Sequence, residues 1–269
     1  MTRTINHGRL LCFSALKNTL SELKGKANIT EIQFRDIWLN NISLNTNMTK
    51  HGWYSPPPFG MAVLSAEDKQ PDRINFQSLR DRENFPSDRI INWETNLMYV
   101  YASNIDKELG LAGDFGITLY FGSNQLVIKH FKNCYHAVKK ILLFLEKTNS
   151  SVELFNKSQE IFFEFGLQNC IVSYTDKEPL DLGHTIPLIE TSWLTNDVTD
   201  LTIDYMKNQR KFINSSVDWN LNSVEQFTIE PRLKAINETD LPQISFHYLA
   251  RRKNSFHVMT EGNSLFQFL

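Results

Sequence analysis

The chain has 269 residues, 41% of them hydrophobic and 22% charged, with a formal net charge of −2. Such a composition can bury one large core or two smaller ones, and it excludes a global field that would draw the chain to nucleic acid or to an anionic membrane. The three cysteines, Cys12, Cys134 and Cys170, are odd in number and widely spaced, which excludes a disulfide framework and a zinc-type pair. Reduced thiols, the lack of a long apolar run after Met1 and the lack of any stretch of transmembrane length set the expectation of a cytoplasmic protein.

Residues 9–24 place Leu10, Phe13, Leu16, Leu20 and Leu23 at helical spacing, with Gly25 as the stop. Thr30 with Gln33 three residues later is a capping-box pattern, and Phe34, Ile37, Trp38 and Ile42 mark a second helix. The N-terminal helices, residues 9–45, read as packing without chemistry. Residues 51–60 hold three consecutive prolines among aromatics, a rigid extended segment that serves as a connector or as a pocket wall. Met61–Ala66 reads as a strand. Residues 71–92 mix acids with Arg73, Arg80, Arg82 and Arg89, the pattern of a solvated surface. The sharper reading is an arginine aimed at a substrate carboxylate, with Arg80 and Arg82 as the candidates and Tyr54 beside them on the wall.

Leu97–Ala102 and the run that follows Asp114 predict a β-hairpin, with Ser103 at one edge and Asp114 at the other. Asp114 heads an apolar run closed by Gly122. A carboxylate there is costly to bury without a positive partner, and a metal ion is one candidate. Gln125–Leu145 is a long amphipathic helix and Val152–Phe165 another, ended by Gly166. His130 and His136 on the first of these read as surface residues. Cys170–Tyr174 is strand-like. His184 follows a glycine and precedes a short apolar strand. Taken alone, such a histidine is more often a hydrogen-bonded core residue than a ligand. Residues 197–212 read as a helix. Glu230 ends the apolar run Phe227-Thr-Ile, and His247 lies on the alternating strand Ile244–Leu249. The chain shows no internal repeat, no phosphate-cradling glycine loop and no domain break, so it reads as one domain over residues 1–269.

Asp114, His184, Glu230 and His247 are all metal-ligand types on or beside apolar strands, and only a fold could gather them. Their order resembles that of the pita-bread metallopeptidases, the methionine aminopeptidase, prolidase and creatinase group. Asp114-Phe-Gly-Ile-Thr-Leu-Tyr-Phe-Gly122 resembles the family's second aspartate motif. Gly183-His184 resembles its Gly-His ligand, and Thr228-Ile-Glu230-Pro231 its Thr-Ile-Glu-Pro ligand. The resemblance covers roughly residues 9–269. It implies an α+β pita-bread fold, a curved antiparallel sheet covered by helices, with the metal-site sheet built from strands within 97–260.

The departures are as specific as the matches. The family's first aspartate falls eleven residues before Asp114, at Ser103, with Asp106 off register. Its final glutamate falls at His247. The second family histidine falls at Thr191, beside Glu190, and the glycine after Glu-Pro is Arg232. The expectation is a mononuclear site for one divalent ion, Fe2+, Mn2+ or Zn2+, held by Asp114, His184, Glu230 and His247. Two carboxylates and two imidazoles neutralise one dication. The resemblance implies hydrolysis of a small amide or amino-acid-like molecule, with Glu230 as proton acceptor. Tyr54, Arg80, Arg82 and Thr191 are the candidates for substrate contact. Two alternatives stay open: an iron-dependent oxidative enzyme on the same ligands, and a binding module without catalysis. A homodimer is compatible with the chain, and the expected partner is a small molecule rather than a nucleic acid or a membrane.

Overall fold

The computed structural model describes residues 7–171, 180–194, 198–238, 240–253 and 256–260. The chain forms two compact units. The first is Met1–Glu67, Asp72–Gly122 and Pro187–Gln209, and the second is Asp68–Pro71, Ser123–Ile186 and Arg210–Leu269.

The first unit begins with two helices, α1 (His7–Leu23) and α2 (Glu31–Ser43). Gly25 takes a left-handed φ of 83°, which ends the α1 turn. At the next start, Thr30 Oγ1 accepts from the Gln33 N–H and Gln33 returns the bond to the Thr30 N–H, the predicted capping box. Cys12, Leu16, Leu23, Phe34, Trp38 and Ile42 are buried. Strands β1 (Met48–Gly52), β4 (Asn104–Asp106) and β5 (Leu111–Ala112) form one antiparallel sheet, in the order β1-β4-β5. A second sheet, in the order β2-β3-β6, is made of β2 (Met61–Glu67), β3 (Asn96–Ala102) and β6 (Phe115–Tyr120). All seven residues of β3 and all six of β6 are buried, which is why these runs are mostly apolar rather than alternating, with Asn96 and Thr118 the polar exceptions.

The β3–β6 register settles the predicted hairpin. Tyr101 pairs with Gly116 and Ala102 with Phe115. The Gly113 N–H reaches the Asn104 carbonyl at 2.6 Å in the same register, so Ser103 and Asp114 stand opposite each other. The residues between them form β4 and β5 rather than a plain turn. The polar run 71–92 is not all solvated surface. Arg73 Nε and Nη2 grip the two oxygens of fully buried Glu31 at 2.9 and 2.7 Å. Ser65 and Ser87 donate to the same carboxylate, from N–H and hydroxyl alike.

The second unit pairs α3 (Gln125–Leu145) with α4 (Ser151–Glu164). Asn124 caps the first and Ser150 the second, and Gly166 at a φ of 67° ends the second as predicted. Val127, Phe131, Cys134, Val138, Ile141 and Leu145 line the buried face of α3. His130 lies on that face too, not on the surface: it is 5% exposed, and its Nε2 meets the Pro242 carbonyl at 3.0 Å. Burial lowers its pKa from the ordinary 6.5, against a smaller upward pull from Pro242 and Glu238. His136 is exposed, as expected. Two small antiparallel sheets complete the unit. Their strands are β7 (Leu167–Asn169), β8 (Gln226–Ile229), β9 (Arg232–Ala235), β10 (Ile244–Ser245), β11 (Tyr248–Lys253) and β12 (Phe256–Thr260), in the orders β10-β9-β7 and β12-β11-β8. The strand expected at Cys170–Tyr174 lies earlier, at β7, and Val172–Tyr174 fall outside the described residues. The strand expected over Ile244–Leu249 is broken at Phe246–His247, where the chain passes from β9 as partner to β8. No cysteine is in a disulfide; burial pushes the Cys12 thiol up to about 12 and the Cys134 thiol higher still, so neither serves as a thiolate. Among the described residues no helix is long and apolar enough to cross a membrane.

Candidate metal centre

In the second unit, three of the four expected ligands converge. His184 sits in a short segment threaded between two neighbours, bridged at His184 to Phe212 and at Thr185 to Phe227. The Thr228 N–H donates to the His184 carbonyl at 2.7 Å, and the Glu230 N–H donates to the Leu182 carbonyl at 2.8 Å. That close pairing explains the glycine before the histidine. A Cβ on Gly183 would lie 2.1 Å from the Thr228 carbonyl oxygen, so any side chain there forces the two segments apart. The Gly-His and Thr-Ile-Glu-Pro motifs are thus two halves of one paired unit.

Glu230 and His247 are anchored from the other side. The Phe246 N–H donates to the Pro231 carbonyl at 3.2 Å. The Phe246 ring packs edge-on against Phe131 of α3 at 5.7 Å. With Phe246 committed to the core, its neighbour His247 turns to the opposite side, the period-two alternation that also holds across a strand break. Glu230 then faces two imidazoles, one on each oxygen: Oε1 lies 3.3 Å from His184 Nε2, and Oε2 lies 3.3 Å from His247 Nε2. All three residues are buried, between 5% and 8% exposed.

The protonation of His184 follows from its other nitrogen. Nδ1 lies 2.9 Å from the Thr185 carbonyl, which can only accept, so Nδ1 carries a hydrogen. In the neutral ring Nε2 is then a lone pair facing a carboxylate oxygen. Two acceptors in such contact repel unless a second proton converts the ring to imidazolium or a cation lies between them. A separation of 3.3 Å exceeds the roughly 2.7–2.9 Å of a charge-assisted hydrogen bond. It matches the spacing of about 3.0–3.4 Å between ligand atoms that each stand about 2.1 Å from one ion. The donor set therefore fits a divalent metal, and the Nδ1–H···O=C contact is the outer hydrogen bond that fixes the tautomer of a metal-binding histidine.

In the first unit, Asp114 is 1% exposed and adopts a φ of 32°, in the left-handed region that costs most residues about 1–2 kcal/mol. Its contacts include two hydrogen bonds. Tyr101 donates its hydroxyl hydrogen to Oδ1 at 2.6 Å, and Arg9 Nη1 donates to the Asp114 carbonyl at 2.5 Å. The sequence reading missed both. Arg9, 105 residues away on α1, overturns the view of the N-terminal helices as packing alone, and no local pattern announces it. Tyr101 left a signal: its pairing partner is Gly116, and a residue without a side chain opposite it leaves the ring free to lean along the diagonal to Asp114.

The residues at the departing positions are occupied otherwise. Ser103 Oγ donates to the Gly60 carbonyl at 2.9 Å and accepts from the Tyr54 N–H at 3.1 Å, stapling both ends of the proline-rich segment. Asp106 accepts from the Glu108 and Leu109 N–H groups and serves as a turn cap. Arg232 is buried and donates from Nη2 to the Cys170 carbonyl at 3.0 Å. Arg80 lies 4.2 Å above the Tyr54 ring, and Tyr54 packs edge-on against Tyr101 at 5.5 Å. Two of the expected substrate residues therefore join Asp114 through one chain of contacts. Arg82 and Thr191 do not join it; both are exposed, on separate 3-10 turns.

No family profile matches the sequence, and no curated protein matches it by sequence. Solved structures do resemble it. The X-Pro aminopeptidase of Thermotoga maritima matches with a TM-score of 0.62 at 13% identity, covering 95% of this chain and 59% of that one. The methionine aminopeptidase of Rickettsia prowazekii matches at 0.58 and 13%, covering 94% and 92%. The prolidase of Pyrococcus horikoshii matches at 0.59 and 14%, covering 95% and 60%. This chain thus has the α+β pita-bread fold that the motif order implied. It spans 59% of the X-Pro aminopeptidase but nearly the whole of the methionine aminopeptidase.

Proposed function

We propose that this chain is a mononuclear metal-dependent enzyme that hydrolyses a small amide or amino-acid-like molecule. One observation carries the proposal: the two oxygens of buried Glu230 each face a separate imidazole nitrogen at 3.3 Å. In this reading His184, Glu230 and His247 hold one dication, and Asp114 is the fourth ligand. Tyr101 donates to one Asp114 oxygen and orients that carboxylate. Ser103, spent on the loop, supplies no ligand for a second ion. When bound, a divalent ion supplies Lewis acidity and acidifies a coordinated water. In this reading Glu230 takes up a proton during hydrolysis, and Tyr54 and Arg80 contact the substrate.

A second reading rests on the donor set of the second unit. Two histidines and one carboxylate are also the ligands of non-haem iron centres that act on oxygen. Metal analysis of protein purified without added metal separates the two. About one zinc or manganese per chain, together with hydrolysis of amides or dipeptides, supports the first reading. About one iron with an oxygen-sensitive spectrum supports the second. Two ions per chain overturn the mononuclear assignment, and none at all overturns both readings in favour of a binding module.

A further inference from the structure

Three arginines of the first unit are written to one plan, and one of them is unfinished. Arg73 turns its Nε–Nη2 edge to a carboxylate, taking both oxygens of Glu31. Arg35 turns the same edge to a single carboxylate oxygen, with Nε at 2.9 Å and Nη2 at 2.6 Å from Asp36 Oδ1, while its guanidinium lies 5.2 Å over the Phe59 ring. Arg80 repeats the second case. It stacks on Tyr54, from the same proline-rich segment, at 4.2 Å. Its Nη1 donates to the Ser55 carbonyl at 2.9 Å. Its Nε and Nη2 have no hydrogen-bond partner among the described residues.

Those two atoms form the edge whose parallel N–H groups match the two oxygens of a carboxylate. The edge is aimed in advance. Nη1 is tied, the ring below fixes the plane, and the Tyr54 backbone is pinned by Ser103 Oγ. Little side-chain freedom is left to lose on binding, so an oxyanion of planar shape meets a preformed fork. The half-buried setting also spares the guanidinium full hydration.

We infer that Arg80 and Tyr54 form a recognition site for a carboxylate, and that the molecule this protein acts on carries one. The site itself stands on the first unit alone. That it serves the substrate rests on the metal-centre reading, and the link is the contact chain from Tyr54 to Tyr101 to the Asp114 carboxylate. The expected substrate is therefore an amino-acid-like molecule with a free carboxylate at the end away from the reacting bond.

The test uses full-length protein labelled with 15N at arginine, titrated with N-acetylglycine and with its uncharged amide while the Arg80 Nε–Hε resonance is followed. N-acetylglycine should shift that resonance saturably and the amide should not. Arg80→Lys, which keeps the charge and loses the fork, should weaken binding of the acid by about tenfold or more. Tyr54→Ala should weaken it too, and Arg89→Ala should leave it unchanged. An equal response to the amide, undiminished binding by Arg80→Lys, or tighter binding of inorganic phosphate than of the acid would overturn the inference. Should Arg80→Lys fail to fold, the contrast between acid and amide on the unaltered protein decides. His247→Ala, titrated in parallel, should bind the acid as the unaltered protein does; loss there would place the acid on the histidine cluster and sink the Arg80 site. Metal content measured on the same samples keeps the two proposals apart, because an ion-free protein that still binds the acid fails the first and passes the second.

Discussion

The two units treat buried charge in opposite ways. In the first, each buried acid described is met by the chain's own donors. Glu31 receives Arg73, Ser65 and Ser87, Asp106 receives two backbone N–H groups, and Asp114 receives Tyr101. In the second, Glu230 faces two imidazoles at a distance too long for good charge-assisted hydrogen bonds. The first unit answers its buried acids with donors of its own, Asp114 on Oδ1. The second sets one carboxylate between two imidazoles at the spacing of ligand atoms. A buried polar group is thus no sign of a site by itself; the sign is the chemistry and spacing of the groups that face it.

Substitutions can break that contrast. Arg73→Met leaves the Glu31 carboxylate buried with its cation removed, and should lower stability by about 3–5 kcal/mol in denaturant unfolding. Metal content should stay as it was, because neither Arg73 nor Glu31 is among the proposed ligands. His247→Ala should do the reverse. Competition with a graded chelator should show metal affinity reduced by more than about a hundredfold, beyond the 10–100-fold that outer-shell changes bring, while the metal-free fold is no less stable. Unchanged metal affinity would remove His247 from the site. Tyr101→Phe should cost about 1.5–3 kcal/mol, the range for a hydrogen bond to a charged group. The sharper reading there is stoichiometry, which should remain one ion per chain.

The smallest effect is in pH. His130 has a folded pKa below its ordinary 6.5, chiefly through burial. The unfolded chain therefore binds a proton more readily than the folded one. Its contribution to stability is whole above about 6.5 and declines as pH falls through the window below that value. Melting temperatures of the unaltered protein should drop more steeply below about pH 6.5 than those of His130→Phe. Parallel curves would mean that the histidine opens to solvent before it titrates.

How much of this was legible in the sequence depended on distance along the chain. The α3 helix was predicted at its observed ends because amphipathic periodicity is a local signal. The Asp114 hairpin was legible because its register follows from two apolar runs and the turn between them. The ligand motifs could be read for the same reason: Gly183 and Thr228 each carry a local pattern, and the fold then pairs them. Arg73 on Glu31, Arg9 on Asp114 and Pro242 over His130 could not be read, since each joins residues 42 or more positions apart with nothing local to mark the partner. The break at His247 was hidden because alternation looks the same whether a strand keeps its partner or exchanges it.

One consequence concerns how this chain can change over generations. Gly183 contributes no donor, no charge and no bulk, yet its α-hydrogen is all that fits beneath the Thr228 carbonyl. Even alanine there would wedge His184 away from Glu230, so the position admits no intermediate step. The polar side chains at 184, 230 and 247, by contrast, stand 3.3 Å apart, and that spacing leaves room for another group of similar reach. Inheritance would then guard the silent residue more strictly than the reactive ones around it.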